Sequence, residues 1–476
     1  MKLTGIFSLA VLAALTACSS STPGPEELVI IHTNDTHSMI DPEAATDLGG
    51  VARRKVLIDS IRAEHPEAIL IDAGDIVQGT LYFHLYKGEV EQKMLNELGY
   101  DIQILGNHEF DNGVEGLKNM LSGAKTHLLA SNYEFSDSLL NSLFTPYYIK
   151  ETGGKKIGFL AVNLNPQGMV AEGNYDGVSF LPWLESAQKT IDHLRNEEKV
   201  DYVVAVTHIG YTGSDENPDL FGDRQLAEQT SGINLIIGGH SHTLLDPAER
   251  VMDAKGNPVI ITQAGKFGRY LGEAKINLKT GDVSDKLIPV DSRLDSRRDG
   301  ELMKKLEPYR AGIDSLYARE IARVETSGPI GSSSPELQKF AGNFVLDRGS
   351  RLIGGVQGAI SNKGGLRVIW APGPLTEGQA IDMMPFNNRI VVIDIAGSDL
   401  IEAFGIMDAR GGDIASGITS ASQVDPNKTY RIATIDYLAN GGDYMTPLTR
   451  GKVVAVSPKI AYDNLLDYLK ENPIIK

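Results

Sequence analysis

A layered α/β fold is predicted by three features of the sequence. Short apolar, β-branched runs alternate with stretches of helical spacing, the runs end on polar or glycine clusters, and a charged helical stretch near residue 300 separates two such regions. Strands buried on both faces of a parallel sheet read as continuous apolar runs. Open α/β sheets bind their ligands at the carboxyl ends of those strands, so the clusters are where function is sought.

The chain opens with Lys2 and an apolar run over residues 6–15, a signal segment too short to cross a bilayer as a mature helix. The next residues, Leu15-Thr16-Ala17-Cys18, resemble the bacterial lipoprotein cleavage box. That resemblance implies a signal peptide over 1–17, a lipid anchor on Cys18 and a flexible, proline-bearing tether over 18–27. The expected location is the cell envelope of a bacterium, facing the periplasm or the surface, and Ser19 suits the outer membrane. Cys18 is the only cysteine, which excludes an internal disulfide. A net charge of −17 over 476 residues argues against binding of a nucleic-acid polymer. A phosphate-bearing substrate then needs local positive charge, from metals or placed arginines.

In chain order, the run 28–31 leads into His32-Thr33-Asn34-Asp35-Thr36-His37, and a helix is expected over 51–62. The run 68–71 ends in Asp72-Ala73-Gly74-Asp75, and a helix over 90–98 leads to the run 102–105 and Gly106-Asn107-His108-Glu109-Phe110-Asp111. A strand over 128–132, a hairpin across Gly153-Gly154 and a helix over 182–198 come next. The run 202–206 ends in Thr207-His208, and 235–237 in Gly238-Gly239-His240-Ser241-His242. Strands and turns over 259–287 close a first domain, residues 28–298. A helical linker is expected over 299–326, with helical spacing to residue 324, and a second, smaller α+β domain over 327–476 that begins with a helix over 336–352. There is no internal repeat.

The clusters supply Asp35, His37, Asp75, Asn107, His208, His240 and His242, with His108 and Asp111 beside them. One such residue at a strand end is ordinarily a turn or cap; five clusters in order on one predicted sheet edge are not. On extended strand, Asp35 and His37 share a face, as do His240 and His242. A mixed nitrogen and oxygen donor set suits Zn, Mn, Fe or Co rather than Ca or Mg alone, and seven candidates suit two ions with one carboxylate bridging. His32, His65, His84, His127 and His193 fall outside the clusters and are read as structural.

The ordered set Asp35-x-His37, Gly74-Asp75, Gly106-Asn107-His108-Glu109, His208 and Gly239-His240-x-His242 resembles the calcineurin-like metallophosphoesterases. With Gly79-Thr80, Phe110-Asp111 and Gly238-Gly239-His240-Ser241 it resembles their 5′-nucleotidase family, which includes UDP-sugar hydrolases and ecto-5′-nucleotidase. The resemblance implies a four-layer αββα metallophosphoesterase domain. It implies one ion held by Asp35, His37, Asp75 and His242 and another by Asp75, Asn107, His208 and His240, with His108 as the catalytic group at the leaving oxygen and Asp111 orienting it. His242 departs from nearer relatives, which often carry Gln or Asn there.

In the second domain Asn362-x-Gly364-Gly365-x-Arg367, Pro385-Phe386 and Tyr437-Leu438-Ala439-Asn440-Gly441-Gly442-Asp443 resemble the family's substrate-binding motifs. These imply that Asn362, Gly364, Gly365 and Arg367 bind substrate, with Arg367 on its phosphate and the glycines letting backbone approach closely, that Phe386 and Tyr437 sandwich a base, and that Asp443 holds a ribose hydroxyl. Tyr437 stands where the best-known relatives have Phe. A further arginine of those relatives is missing from Ser332-Ser333-Ser334-Pro335-Glu336-Leu337, which leaves Arg367, with Lys363 or Lys339, to grip phosphate. The function expected is 5′-nucleotidase activity on extracytoplasmic nucleotides. The alternatives are a 2′,3′-cyclic-nucleotide phosphodiesterase or nucleotide-sugar diphosphatase on the same metal centre, and, more remotely, a nucleotide-binding lipoprotein without turnover. No pattern in the chain sets an oligomeric state.

Overall fold

The computed structural model describes residues 25–43, 46–167, 169–171, 173–213, 221–386 and 388–476. The residues expected to form a signal segment, Cys18 and the part of the expected tether before Pro25 lie outside them. No described helix is long and apolar enough to cross a membrane.

Two large sheets form the first half. One has seven strands in the order Val283–Pro289, Tyr270–Asn277, Glu27–Thr33, Ile69–Asp72, Ile102–Gln103, His127–Leu129 and Phe144–Thr145. From Glu27–Thr33 onward the pairing is parallel. The other has six, in the order Glu249–Met252, Pro258–Thr262, Leu235–Ile237, Tyr202–His208, Lys155–Asn163 and Tyr147–Thr152, and its four inner strands are parallel.

Period-two geometry assigns the faces. Leu28 and Ile30 point between the sheets and pack with Phe159, Val204, Val206 and Ile237 of the second sheet. Val29 and Ile31 point the other way, into a core shared with the helices Val51–Glu64, Glu89–Leu98 and Gly113–Leu121. On the outer face of the second sheet, Leu160 and Val203 pack with Ala187, Ile191 and Leu194 of the helix Trp183–Asn196. The order of layers is therefore helix, sheet, sheet, helix. This differs from the single sheet edge read from the strand pattern. The clusters come from two facing sheets, because a run such as 202–206 carries no local mark of which sheet it joins.

The second half holds a five-stranded sheet in the order Ile414–Ser416, Gly358–Ser361, Thr429–Ile435, Arg389–Ala396 and Lys452–Ile460, covered by the helix Pro335–Leu352. Between the halves runs the helix Gly300–Tyr317, capped by the Asp299 carboxylate, which accepts from the amides of Glu301 and Leu302. It binds the first half through Tyr86, whose hydroxyl donates to the Tyr309 carbonyl at 3.0 Å, and the second through Tyr317, whose hydroxyl donates to Asp382 at 2.6 Å. The helical spacing expected through residue 324 stops at Tyr317. Glu320–Val324 is instead a strand paired with Gly373–Thr376 and Ile474–Ile475, where β-branched Ile321 and Val324 and cross-strand partners override the charged pattern.

Candidate metal centre and cleft

The strand Glu27–Thr33 stops two residues before Asp35, and the site is built on the turn beyond its end. Asp35, His37, Asp75, His240 and His242 all have positive φ, between 46° and 79°. Asp35 and His37 therefore converge from a left-handed turn and not from one face of a strand, and the same holds for His240 and His242. Each such residue costs ~1–3 kcal/mol. The cost is offset by bonds between loops: the Asp35 amide donates to the Gly74 carbonyl and that of His37 to the Asp75 carbonyl, both at 3.0 Å, and the Phe267 amide donates to the Asp35 carbonyl at 2.7 Å. Gly106 is required by close approach, since a Cβ there would lie 2.2 Å from Asp75 Oδ1.

The seven residues expected as ligands meet in one place. His37 Nε2 lies 2.9 Å from His242 Nε2, and Asp35 Oδ1 lies 3.4 Å from that same His242 atom. Asp75 Oδ2 is 3.1 Å from His208 Nε2 and 3.9 Å from His37 Nε2, so this carboxylate touches both groups. Asn107 Oδ1 is 2.9 Å from His240 Nδ1. Three donor triads result: Asp35, His37 and His242; Asp75, His208 and His240; and His37, Asp75 and His108.

Their protonation favours a cation. His208 Nδ1 lies 2.7 Å from the Ala73 carbonyl and His37 Nδ1 3.3 Å from that of Val77. The neutral tautomers that donate there leave lone pairs on both Nε2 atoms. His208 Nε2 is sealed from solvent and makes no hydrogen bond of good geometry, for all its closeness to Asp75. Burial disfavours charge on this ring, yet Asp75 and Asp35 hold it up at about 10, so that a proton takes the place of a cation between the carboxylates. Burial pushes the imidazoles of His240 and His242 down to about 3 and about 4, and burial pushes the Asp35 carboxyl up to about 7. Imidazole nitrogens and carboxylates crowded together at such distances and buried are satisfied by divalent cations.

His108 stands at the outer rim. Its Nδ1 is 2.8 Å from Asp111 Oδ2, and its amide donates to Asp75 Oδ1 at 2.9 Å. Burial disfavours its charged form, but the carboxylates of Asp111 and Asp75 outweigh it and hold the ring up at about 9.

Three supporting residues have roles that the sequence motifs do not assign. Glu109 accepts from the amides of Gly106, Asp75 (3.1 Å) and Ile76 (2.8 Å), which ties two loops together. Asn34 donates to Asp35 Oδ2 at 2.6 Å and to the Gly265 carbonyl at 2.7 Å. Asp223, fully buried, accepts from Thr207 at 2.5 Å and from Gln263 at 3.1 Å. Glu109 and Asn34 lie inside the strand-end clusters, but their acceptor and donor roles depend on partners distant in sequence. Asp223 carries no local signal.

A cavity of about 400 Å³ opens from this centre between the two halves. Asn107, His108, Asp111 and His240 line one end, while Asn362, Gly364, Gly365, Arg367, Phe386, Tyr437 and Asp443 all line the other. The Arg367 guanidinium sits 5.5 Å over the Phe386 ring, and among the described residues no carboxylate pairs with it. Phe386 lies 6.3 Å from the His108 ring, tilted by 31°. Lys363 is turned away, its ammonium donating to the Gly411 carbonyl at 3.2 Å. Phe83, Asn174, Asn388 and Asn440 also line the cleft; of these only Asn440 belongs to a family motif. The histidines read as structural are elsewhere: His32 meets Asp285 at 3.2 Å, His84 packs on Tyr462 and His127 stacks on Tyr148.

The family model for calcineurin-like phosphoesterases matches residues 28–244, and that for the 5′-nucleotidase C-terminal domain matches 321–413. The trifunctional nucleotide phosphoesterase protein YfkN of Bacillus subtilis is 27% identical over 94% of this chain, which spans about a third (34%) of that longer protein. The 5′-nucleotidase of Vibrio cholerae is 26% identical over 99% of this chain and 96% of its own length. Among solved structures, the 5′-nucleotidase precursor of Thermus thermophilus aligns with a TM-score of 0.81 at 27% identity, covering 94% of this chain and 97% of that one. The first match covers the half that carries the histidine and aspartate cluster and the second falls in the half across the cleft, so the chain joins a calcineurin-like phosphoesterase region to a 5′-nucleotidase C-terminal region.

Proposed function

We propose that this phosphoesterase hydrolyses nucleoside 5′-monophosphates outside the cytoplasm, releasing nucleoside and phosphate, with two divalent ions as its resident cofactors. The observation that carries the reading is one continuous cleft with phosphoester chemistry at one end and aromatic and carboxylate groups suited to a nucleoside at the other. Relatives named 5′-nucleotidase that align over nearly the whole chain support it.

Asp35, His37, Asp75 and His242 would hold one ion and Asp75, Asn107, His208 and His240 the other, with Zn, Mn, Fe or Co fitting the donor set. Such a pair, when bound, activates water and neutralises charge on the phosphoryl group. The remaining work falls to side chains of this chain. His108, held by Asp111 through Nδ1, delivers a proton to the leaving 5′-oxygen from Nε2. Arg367 adds side-chain positive charge at the substrate phosphate in a chain of net −17. Phe386 and Tyr437 stack on the base, an interaction contributing ~1–3 kcal/mol per base. The first domain, residues 28–298, carries the chemistry and the second, 327–476, the recognition. Lipidation of Cys18 would hold both at a bacterial envelope membrane, with nucleotides and not nucleic-acid polymers as partners.

The test is phosphate release by the purified two-domain protein, supplied with Mn or Zn, from AMP, UMP, a 2′,3′-cyclic nucleotide, UDP-glucose and p-nitrophenyl phosphate. Preference for AMP or UMP, with a raised KM in Arg367→Ala, is the expected result. Preference for the cyclic or sugar substrate would overturn the substrate assignment.

A further inference from the structure

Tyr437 carries a group that stacking on a base does not use. Its hydroxyl donates to Asp443 Oδ1 at 2.8 Å and accepts from the Asp443 amide at 3.1 Å. Two bonds thus run from one hydroxyl to one residue. Asp443 has φ 52°, and Tyr444 after it φ 55°, so the hydroxyl closes a left-handed turn of the kind that costs energy in non-glycine residues. Gly442 lets the ring lie flat against this turn, since a Cβ there would fall 2.5 Å from the ring. The other carboxylate oxygen, Oδ2, accepts from Asn362 Nδ2 at 2.6 Å.

We propose that the Tyr437 hydroxyl sets the sugar specificity of the cleft by locking the Asp443 carboxylate as an acceptor for the ribose hydroxyls of a nucleotide. The inference rests on the nucleotide reading above and extends it to a ribose over a deoxyribose substrate class. A carboxylate has about four acceptor positions. With one position on each oxygen taken by Tyr437 and Asn362, each keeps another, and the two oxygens cannot rotate. Two fixed acceptors side by side match two neighbouring hydroxyl donors. A 2′-deoxy sugar satisfies only one, and an acceptor left unmatched in a desolvated cleft is penalised. Phenylalanine at 437 stacks as well but makes neither bond, which frees the carboxylate and strips the Asp443 amide of its partner. Tyr437 in this role acts through Asp443 and is a positioning residue.

The experiment measures KM and kcat for AMP and 2′-deoxy-AMP with the Mn-loaded two-domain protein as wild type, Tyr437→Phe, Asp443→Ala and the double variant, with melting temperature and metal content alongside. The wild type should prefer AMP. Tyr437→Phe should raise KM for AMP about tenfold with kcat within about twofold, and its preference for AMP over the deoxy substrate should largely vanish. In the Asp443→Ala background, adding Tyr437→Phe should change that preference no further. Should Tyr437→Phe not fold, Asn362→Ala, which frees the other oxygen, is expected to lower the preference in the same way. An unchanged preference in the single variants, or independent multiplicative effects in the double, overturns the proposal while leaving the nucleotide reading intact. A wild type that cleaves p-nitrophenyl phosphate but neither nucleotide overturns the nucleotide reading and the proposal with it.

Discussion

Replacement of Glu109 by alanine should damage the protein more than any motif role suggests. The side chain is 3% exposed, and its carboxylate accepts from the amides of Gly106, Asp75 and Ile76. Alanine leaves three backbone donors without this acceptor, at ~1–3 kcal/mol each. Water entering the vacated volume recovers part of that, so the expected loss is roughly 3–6 kcal/mol. At roughly 2–4 °C per kcal/mol for a unit of this size, the melting midpoint should fall by roughly 6–24 °C. Asp75, whose amide is one of the three, also loses its anchor, so bound metal should fall together with stability. Thermal melts with and without a chelator, and elemental analysis of the purified variant, read both. Glu109→Gln keeps the volume and one acceptor and should lie between. A Glu109→Ala protein melting within about 2 °C of wild type, with full metal content, would refute the reasoning.

Alanine at His108 should lower kcat by ~10²–10⁴ while leaving metal content near that of wild type, checked by steady-state kinetics and elemental analysis; equal loss of metal would mean that the ring holds an ion. Chelation should lower the melting midpoint, because each ion present at about a thousand times its Kd contributes ~4 kcal/mol to the folded state, and added Mn or Zn should restore it in calorimetry. Burial pushes the Asp223 carboxyl up to about 7, so the fold favours its protonated form and this group removes stability as pH rises from its ordinary 3.8 to about 7. Asp223→Asn should flatten that part of the pH dependence, read from urea midpoints between about pH 4 and pH 8; identical slopes in the two proteins would contradict it.

The sequence by itself determined what is local. Alternation of side chains places Leu28 and Ile30 on one face and Val29 and Ile31 on the other, and the polar clusters mark where Ile69–Asp72, Tyr202–His208 and Leu235–Ile237 end. The order of the residues in those clusters was enough for a family resemblance. Tertiary structure alone decided what joins distant segments. It put His208 and His240 at strand ends of a second sheet facing the one whose strand ends lead to Asp35 and Asp75, since strand periodicity marks burial and not the partner sheet. It turned Asp35, His37, His240 and His242 into the centre through left-handed turns, held by amides and carbonyls that no side-chain pattern encodes. It sent the Lys363 ammonium to the Gly411 carbonyl rather than toward phosphate. It also brought Asn362 and Tyr437 to opposite oxygens of Asp443, a contact whose geometry depends on the packing between strands and so leaves no period or spacing in the chain.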